Sequence, residues 1–144
     1  MTTDEFLSYI KSRGAHLADA VSPNQIALTN TALQQRRRAM LPQYMTELYT
    51  KTGGIILGNG YIFGPDKIPQ GLHFPVPSIL QINDELTNIP QTIGKTIFGR
   101  NDLFWFCFDA FGVCYMLDNL TLKPLRRYDD PYRALSDCLI AGKF

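Results

Sequence analysis

The chain has 144 residues, 45% hydrophobic and 19% charged, with a net charge of +1. That suits one domain spanning 1–144, since a chain of this length buries roughly 68–70% of the surface its unfolded form exposes. The balanced charge supplies no field for nucleic acid or an anionic membrane. No run approaches the roughly 20 apolar residues of a membrane span, and Met1–Phe6 lacks the basic region and apolar run of a signal peptide. Three cysteines, Cys107, Cys114 and Cys138, read as reduced thiols rather than a disulfide framework. A cytoplasmic location is expected.

Helical signals come first. Glu5, Phe6, Tyr9 and Ile10 predict a short amphipathic helix ended by Gly14. Ser22-Pro23-Asn24-Gln25 predicts a capping box, with Ser22 accepting from the Gln25 N–H and the Gln25 side chain reaching back. The helix so begun directs Ile26, Leu33 and Met40 to the core and ends near Met40. Leu41-Pro42 restarts a helix carrying Tyr44, Met45 and Leu48, closed by Gly53-Gly54.

Strands follow. Ile55–Leu57 and Tyr61–Phe63 flank Gly58-Asn59-Gly60, whose Asn-Gly pair predicts a type I′ hairpin. Residues 69–77, with three prolines, read as a loop or edge segment. Ser78 and Gln81 repeat the capping spacing before a short helix with Ile79, Ile82 and Leu86 on one face. Ile93–Phe98 reads as a strand and Gly99–Asp102 as a turn.

Leu103–Phe108 has aromatic residues on both alternating faces, which predicts a central strand covered on both sides. Asp109-Ala110-Phe111-Gly112 fits a turn, and Val113–Leu117 returns as the partner strand. Asp130-Pro131 begins a C-terminal helix through Tyr132, Leu135 and Leu139, ended by Gly142. Helices, then hairpins, then a helix make the fold class α+β.

Catalytic patterns are sparse. If Gly112 takes the left-handed position, Cys107 faces Tyr115 and Cys114 faces Phe108, which puts the two thiols on opposite sides of the sheet. They read as core cysteines, and no His or Cys partners lie at zinc spacing. His16 and His73 have no nucleophile or second histidine in a motif context. The glycines at 53–64 read as turn and cap residues rather than a phosphate loop. Asp109 and Asp118 read as turn residues rather than an acid–base pair. Arg36-Arg37-Arg38 fans over about 200° of a helix, so it forms no single stripe. Arg126-Arg127 and Arg133 make a second basic spot. Together with Trp105 it raises single-stranded RNA stacking, set aside because the aromatics have apolar neighbours. No metal, cofactor, nucleic acid or membrane partner is expected.

Three stretches carry a family resemblance. Leu41-Pro42-Gln43-Tyr44-Met45 through Leu48-Tyr49 to Thr52-Gly53-Gly54 is one. Ile97-Phe98-Gly99 through Asp102–Phe106 and Asp109 to Gly112–Asp118 is the second, and the Pro131–Ile140 helix is the third. Together they span most of 22–141 and resemble the SUKH superfamily of Smi/Knr-like cell-wall regulators and bacterial immunity proteins. The resemblance implies a curved, mostly antiparallel sheet of about six strands, flanked by N-terminal helices and a C-terminal helix. It implies no common catalytic site. It implies instead a non-catalytic protein-binding module, foremost an immunity protein that binds and neutralises a bacterial toxin domain. The alternatives are an adaptor in cell-envelope signalling and a small ligand-binding or hydrolytic enzyme.

This chain departs from the resemblance at Gln34–Arg38 and at Gly99–Asp102, and both departures remove negative charge. Arg100, Asn101, Asp102, Arg36 and Arg37 are therefore the candidate partner-binding residues, with recognition expected in loops around a buried hairpin.

Overall fold

Caps and turns divide the chain where polar side chains can satisfy backbone groups. The structure, a computed structural model, describes residues 1–69 and 75–140. Its helices are α1 (Thr3–Ser12), α2 (Pro23–Gln35), α3 (Gln43–Lys51), α4 (Ile79–Glu85) and α5 (Pro131–Ile140). Its strands are β1 (His16–Leu17), β2 (Ile55–Leu57), β3 (Gly60–Ile62), β4 (Thr96–Arg100), β5 (Phe104–Phe108), β6 (Cys114–Asp118) and β7 (Pro124–Tyr128). The strands lie in sequence order in one open antiparallel sheet, so the α+β class holds. One-residue register shifts between Ile97 and Gly99 and between Met116 and Leu117 are places where a bulge bends a strand and so curves the sheet. Among the described residues no helix is long and apolar enough to cross a membrane.

Seven strands replace the expected six or so. The two outer strands carry no alternating apolar signal: β1 is two residues long, and β7 reads Pro-Leu-Arg-Arg-Tyr with its first four residues exposed.

Helices α1, α3 and α5 gather on one face of the sheet, called here the first. Tyr44 of α3 donates its hydroxyl to the Gly112 carbonyl at 2.8 Å and lies 3.0 Å from Cys114 Sγ. Thr96 of β4 donates to Ala39 O in the α2–α3 link. Phe6 of α1 packs its ring 5.7 Å from that of Tyr132 in α5. Phe98, Phe106 and Phe108 form the centre of this layer; all three are fully buried and in mutual ring contact through Phe98. Each such side chain contributes about 1.5–3 kcal/mol by leaving water.

Helix α5 sets the geometry of the layer. A Cβ on Gly60 would lie 2.8 Å from Cys138 O and from Leu139 Cα, and one on Gly99 would lie 2.8 Å from Cys138 Sγ and 2.6 Å from Tyr61 O. Glycine at 60 thus lets the α5 backbone rest directly on β3, and glycine at 99 makes room on β4 for the Cys138 side chain. Buried Asp137 of α5 accepts from the Tyr128 hydroxyl at 2.7 Å and from Arg126 at 3.1 Å, which ties the helix to β7.

Several sequence expectations hold in detail. Ser22 and Ser78 accept from the N–H groups of Gln25 and Gln81. The β5–β6 hairpin has the three-residue loop, with Gly112 at φ 79°, Cys107 opposite Tyr115 and Cys114 opposite Phe108. Asp109 Oδ1 accepts from the N–H groups of Phe111 and Val113, so it serves the turn. Asp118 does the same for Leu120 and Thr121.

Others differ. The Gln25 side chain does not reach back but donates to Asp66. Helix α2 stops at Gln35, and Met40 is 47% exposed. Arg37 adopts φ 57°, and the Arg38 and Arg37 N–H groups bond to Leu33 O and Gln34 O, a left-handed helix stop made without glycine. The β2–β3 loop is Gly58-Asn59, positive in φ at Gly58 only, the pattern of a type II′ turn rather than I′. Gly60 is thereby left in the strand, where α5 needs it. Ile93 is exposed, and Gly99 and Arg100 belong to β4 rather than to a turn. Gly142 and His73 lie outside the described residues.

Gly99→Ala should lower stability by about 1–3 kcal/mol, the usual cost of overpacking, read as a lower urea midpoint at unchanged m-value. Separately, the bonds from Leu120 and Thr121 hold the Asp118 carboxyl below its ordinary range. The folded pKa is thus depressed below the unfolded value of about 3.9. The stabilisation is present above that value and lost as pH falls through the folded one. Asp118→Asn should remove this part of the acid sensitivity in melting curves taken from neutral pH downward.

Candidate functional site

Antiparallel pairing puts directly opposite residues on one face, so the register assigns the second face of the sheet residue by residue. One row across the strands is Tyr61, Arg100, Trp105 and Leu117. The next is Ile97, Cys107, Tyr115 and Arg127. Helices α3 and α5 reach the opposite face, whereas Val76, and Ile82 of α4, stand beside Tyr61 on this one. The Arg100 guanidinium lies 4.2 Å from the Trp105 ring centroid, and Lys95 Nζ lies 5.4 Å from that of Tyr115. Such cation–π contacts contribute about 0.5–1 kcal/mol at exposed sites. Trp105, Tyr115, Arg100 and Lys95 are half-buried, whereas Arg127 and Leu125 are exposed. Cys107, flanked by the two aromatic residues, is fully buried, and burial pushes its thiol up to about 12. It remains a protonated core thiol at neutral pH.

The covered hairpin expected from the sequence is therefore only half right. The Phe106 and Phe108 side is sealed by helices, and the Trp105 side reaches solvent. Five consecutive apolar residues carry no inside–outside alternation, so the sequence had no means of separating the two sides.

Beside Arg100 the second face opens into a cleft of about 450 Å³. Tyr61 and Phe63 from the sheet, Val76, and Ile82 from α4 supply its apolar lining, and Arg100 and Asp102 stand among its polar groups. Asp102 accepts from Asn59 Nδ2 at 2.8 Å, linking the β2–β3 and β4–β5 turns. A second cleft, about 340 Å³, includes His16, Asp19, Gln25, Asp66 and Lys67. Gln25 and Asp66 are bonded to each other across it.

Of the five residues singled out by sequence, the structure brings Arg100 and Asp102 together at the first cleft. Asn101 is 4% exposed and is a clamp rather than a contact residue. Its Oδ1 accepts from the N–H groups of Leu103 and Phe104, and its Nδ2 donates to Cys138 O at 3.1 Å. It thus closes the β4–β5 turn and satisfies a carbonyl near the end of α5. Arg36 is held by Asp84 of α4 at 2.7 Å, and Arg37 is the helix stop. Arg38 donates to three carbonyls, those of Thr92, Lys95 and Asn83. The arginine triplet joins α2 to the segment before β4, and neither Arg36 nor Arg37 lines the cleft with Arg100. Sequence reasoning missed Lys95, Trp105, Tyr115 and Arg127 as a group, because the first and last lie on segments whose strand register only pairing defines.

No family model matches the chain, and no curated protein matches it.

Asn101→Ala should cost about 1–3 kcal/mol, because it strands two turn N–H groups and the Cys138 carbonyl. Asp102→Ala, one residue on but exposed, should leave the melting temperature nearly unchanged. Differential scanning calorimetry on the two variants separates clamp from surface.

Proposed function

We infer that this chain is a non-catalytic protein-binding module of SUKH type, an immunity protein that binds and neutralises a toxin domain. Arg100 carries the proposal on the structural side. Its guanidinium lies over the Trp105 ring, 4.2 Å from the centroid, beside a cleft with an apolar lining, and has no ion pair among the described residues. A cation held in place by an aromatic ring loses little freedom when a partner carboxylate meets it, which is what recognition surfaces use arginine for. The resemblance in the Leu41–Gly54, Ile97–Asp118 and Pro131–Ile140 stretches supports the same reading.

The test takes toxin domains encoded beside the gene for this chain, and a neighbourhood that encodes none counts against the proposal. A stable complex on size-exclusion chromatography with light scattering, together with loss of toxin activity, is expected. Joint replacement of Arg100 and Asp102 by alanine should weaken binding by about tenfold or more at unchanged melting temperature. Failure of the two proteins to associate would overturn the proposal. A stable complex with a host envelope-synthesis protein instead would favour the adaptor reading.

A further inference from the structure

Lys95, Arg100 and Arg127 project from the second face without an ion-pair partner among the described residues. By contrast, Arg36 and Arg126 are each paired, to Asp84 and Asp137. The three unpaired cations frame Trp105, Tyr115 and exposed Leu125. Arg100 on β4 and Arg127 on β7 stand three strand spacings apart across the sheet and one row apart along it, roughly 16 Å between backbones. Among the described residues the carboxylate hydrogen-bonded to this group is that of Asp109, 3.4 Å from the Tyr115 hydroxyl and already committed to its turn, while Asp102 and Glu85 line the cleft beside Arg100 without an ion pair to it. The result is an apolar centre with positive charge around it, on a chain whose net charge is only +1.

We propose that this face docks an acidic segment of a partner protein, with carboxylates meeting Arg100, Lys95 and Arg127 around an apolar residue seated against Trp105 and Leu125. This rests on the protein-binding reading and names the chemistry of its partner. Two features select the polypeptide over a single-stranded nucleic acid. Arg100 already lies over the Trp105 ring and Lys95 over the Tyr115 ring, so a base would have to displace a cation to stack there. The charges are also few and separated by apolar surface, which suits side-chain carboxylates around a hydrophobic anchor better than a continuous phosphate backbone.

Trp105 is the chain's single tryptophan, so its fluorescence reports on this face alone. The probes are a glutamate-rich peptide with one central leucine, its lysine-rich counterpart and an oligouridylate of equal length. The acidic peptide should perturb Trp105 emission and bind in a salt-sensitive manner. Combined Lys95→Ala, Arg100→Ala and Arg127→Ala should weaken it by about tenfold or more. Removing charge at the end of α1 through Lys11→Ala and Arg13→Ala should not. Equal or tighter binding of the lysine peptide or the oligouridylate overturns the proposal, as does an unaltered affinity in the triple variant. Arg127 is exposed, so Arg127→Glu alone serves if the triple variant fails to fold. A toxin domain that binds the triple variant normally leaves the module reading standing and removes this surface. An acidic peptide that behaves as expected while no toxin domain binds does the reverse.

Discussion

Helix α5 lies so close to the sheet that two strand positions beneath it have no room for a side chain. Gly60 and Gly99 meet Cys138 and Leu139 at distances where a Cβ would collide with backbone or sulfur. Much of the structure follows from that contact. The β2–β3 turn must fall at Gly58-Asn59 so that Gly60 stays in the strand, and β4 must run on through Gly99 to Arg100. The Cys138 thiol, fully buried there, donates to Tyr61 O, and Asn101 reaches the Cys138 carbonyl. Polar groups buried at so close a backbone contact are costly unless a protein partner satisfies them.

The same contact decides what the opposite face can be. With α5 and the Phe98–Phe106–Phe108 cluster on the first face, the alternate residues of the same strands turn outward. Trp105 and Tyr115 then act as cover for Cys107 and as supports for Arg100 and Lys95. A long cation lying on an aromatic ring shields apolar surface with its stem and still shows its charge to solvent. The face is thereby closed enough to bury a thiol and still carries positive charge at the surface.

The basic residues show how position changes the meaning of a charge. Arg36, Arg37 and Arg38 look like one patch in the sequence, yet one pairs with Asp84, one takes a left-handed backbone conformation, and one caps three carbonyls. Arg126 and Arg127 are adjacent, yet strand alternation sends Arg126 to Asp137 on the first face and Arg127 to Tyr115 on the second. Adjacent charge in a chain is shared surface only where the backbone turns both side chains the same way.

Local chemistry alone determined much of the scaffold. Ser22 and Ser78 at helix starts, Gly112 in the hairpin loop, the separation of Cys107 from Cys114, and the turn roles of Asp109 and Asp118 all depend on interactions within a few residues. That is why they are legible in the sequence. Arg100 and Asp102, singled out through a departure from a resembled pattern, line one cleft, whereas Asn101 between them is buried. Tertiary structure decided the rest. Whether Asn101 is a contact or a clamp depends on α5, 37 residues away in the chain. Whether Trp105 is core or surface depends on which face the helices cover, and a strand apolar on both sides does not encode that choice. The cation-framed face draws Lys95, Arg100 and Arg127 from separate segments, and only strand register brings them together.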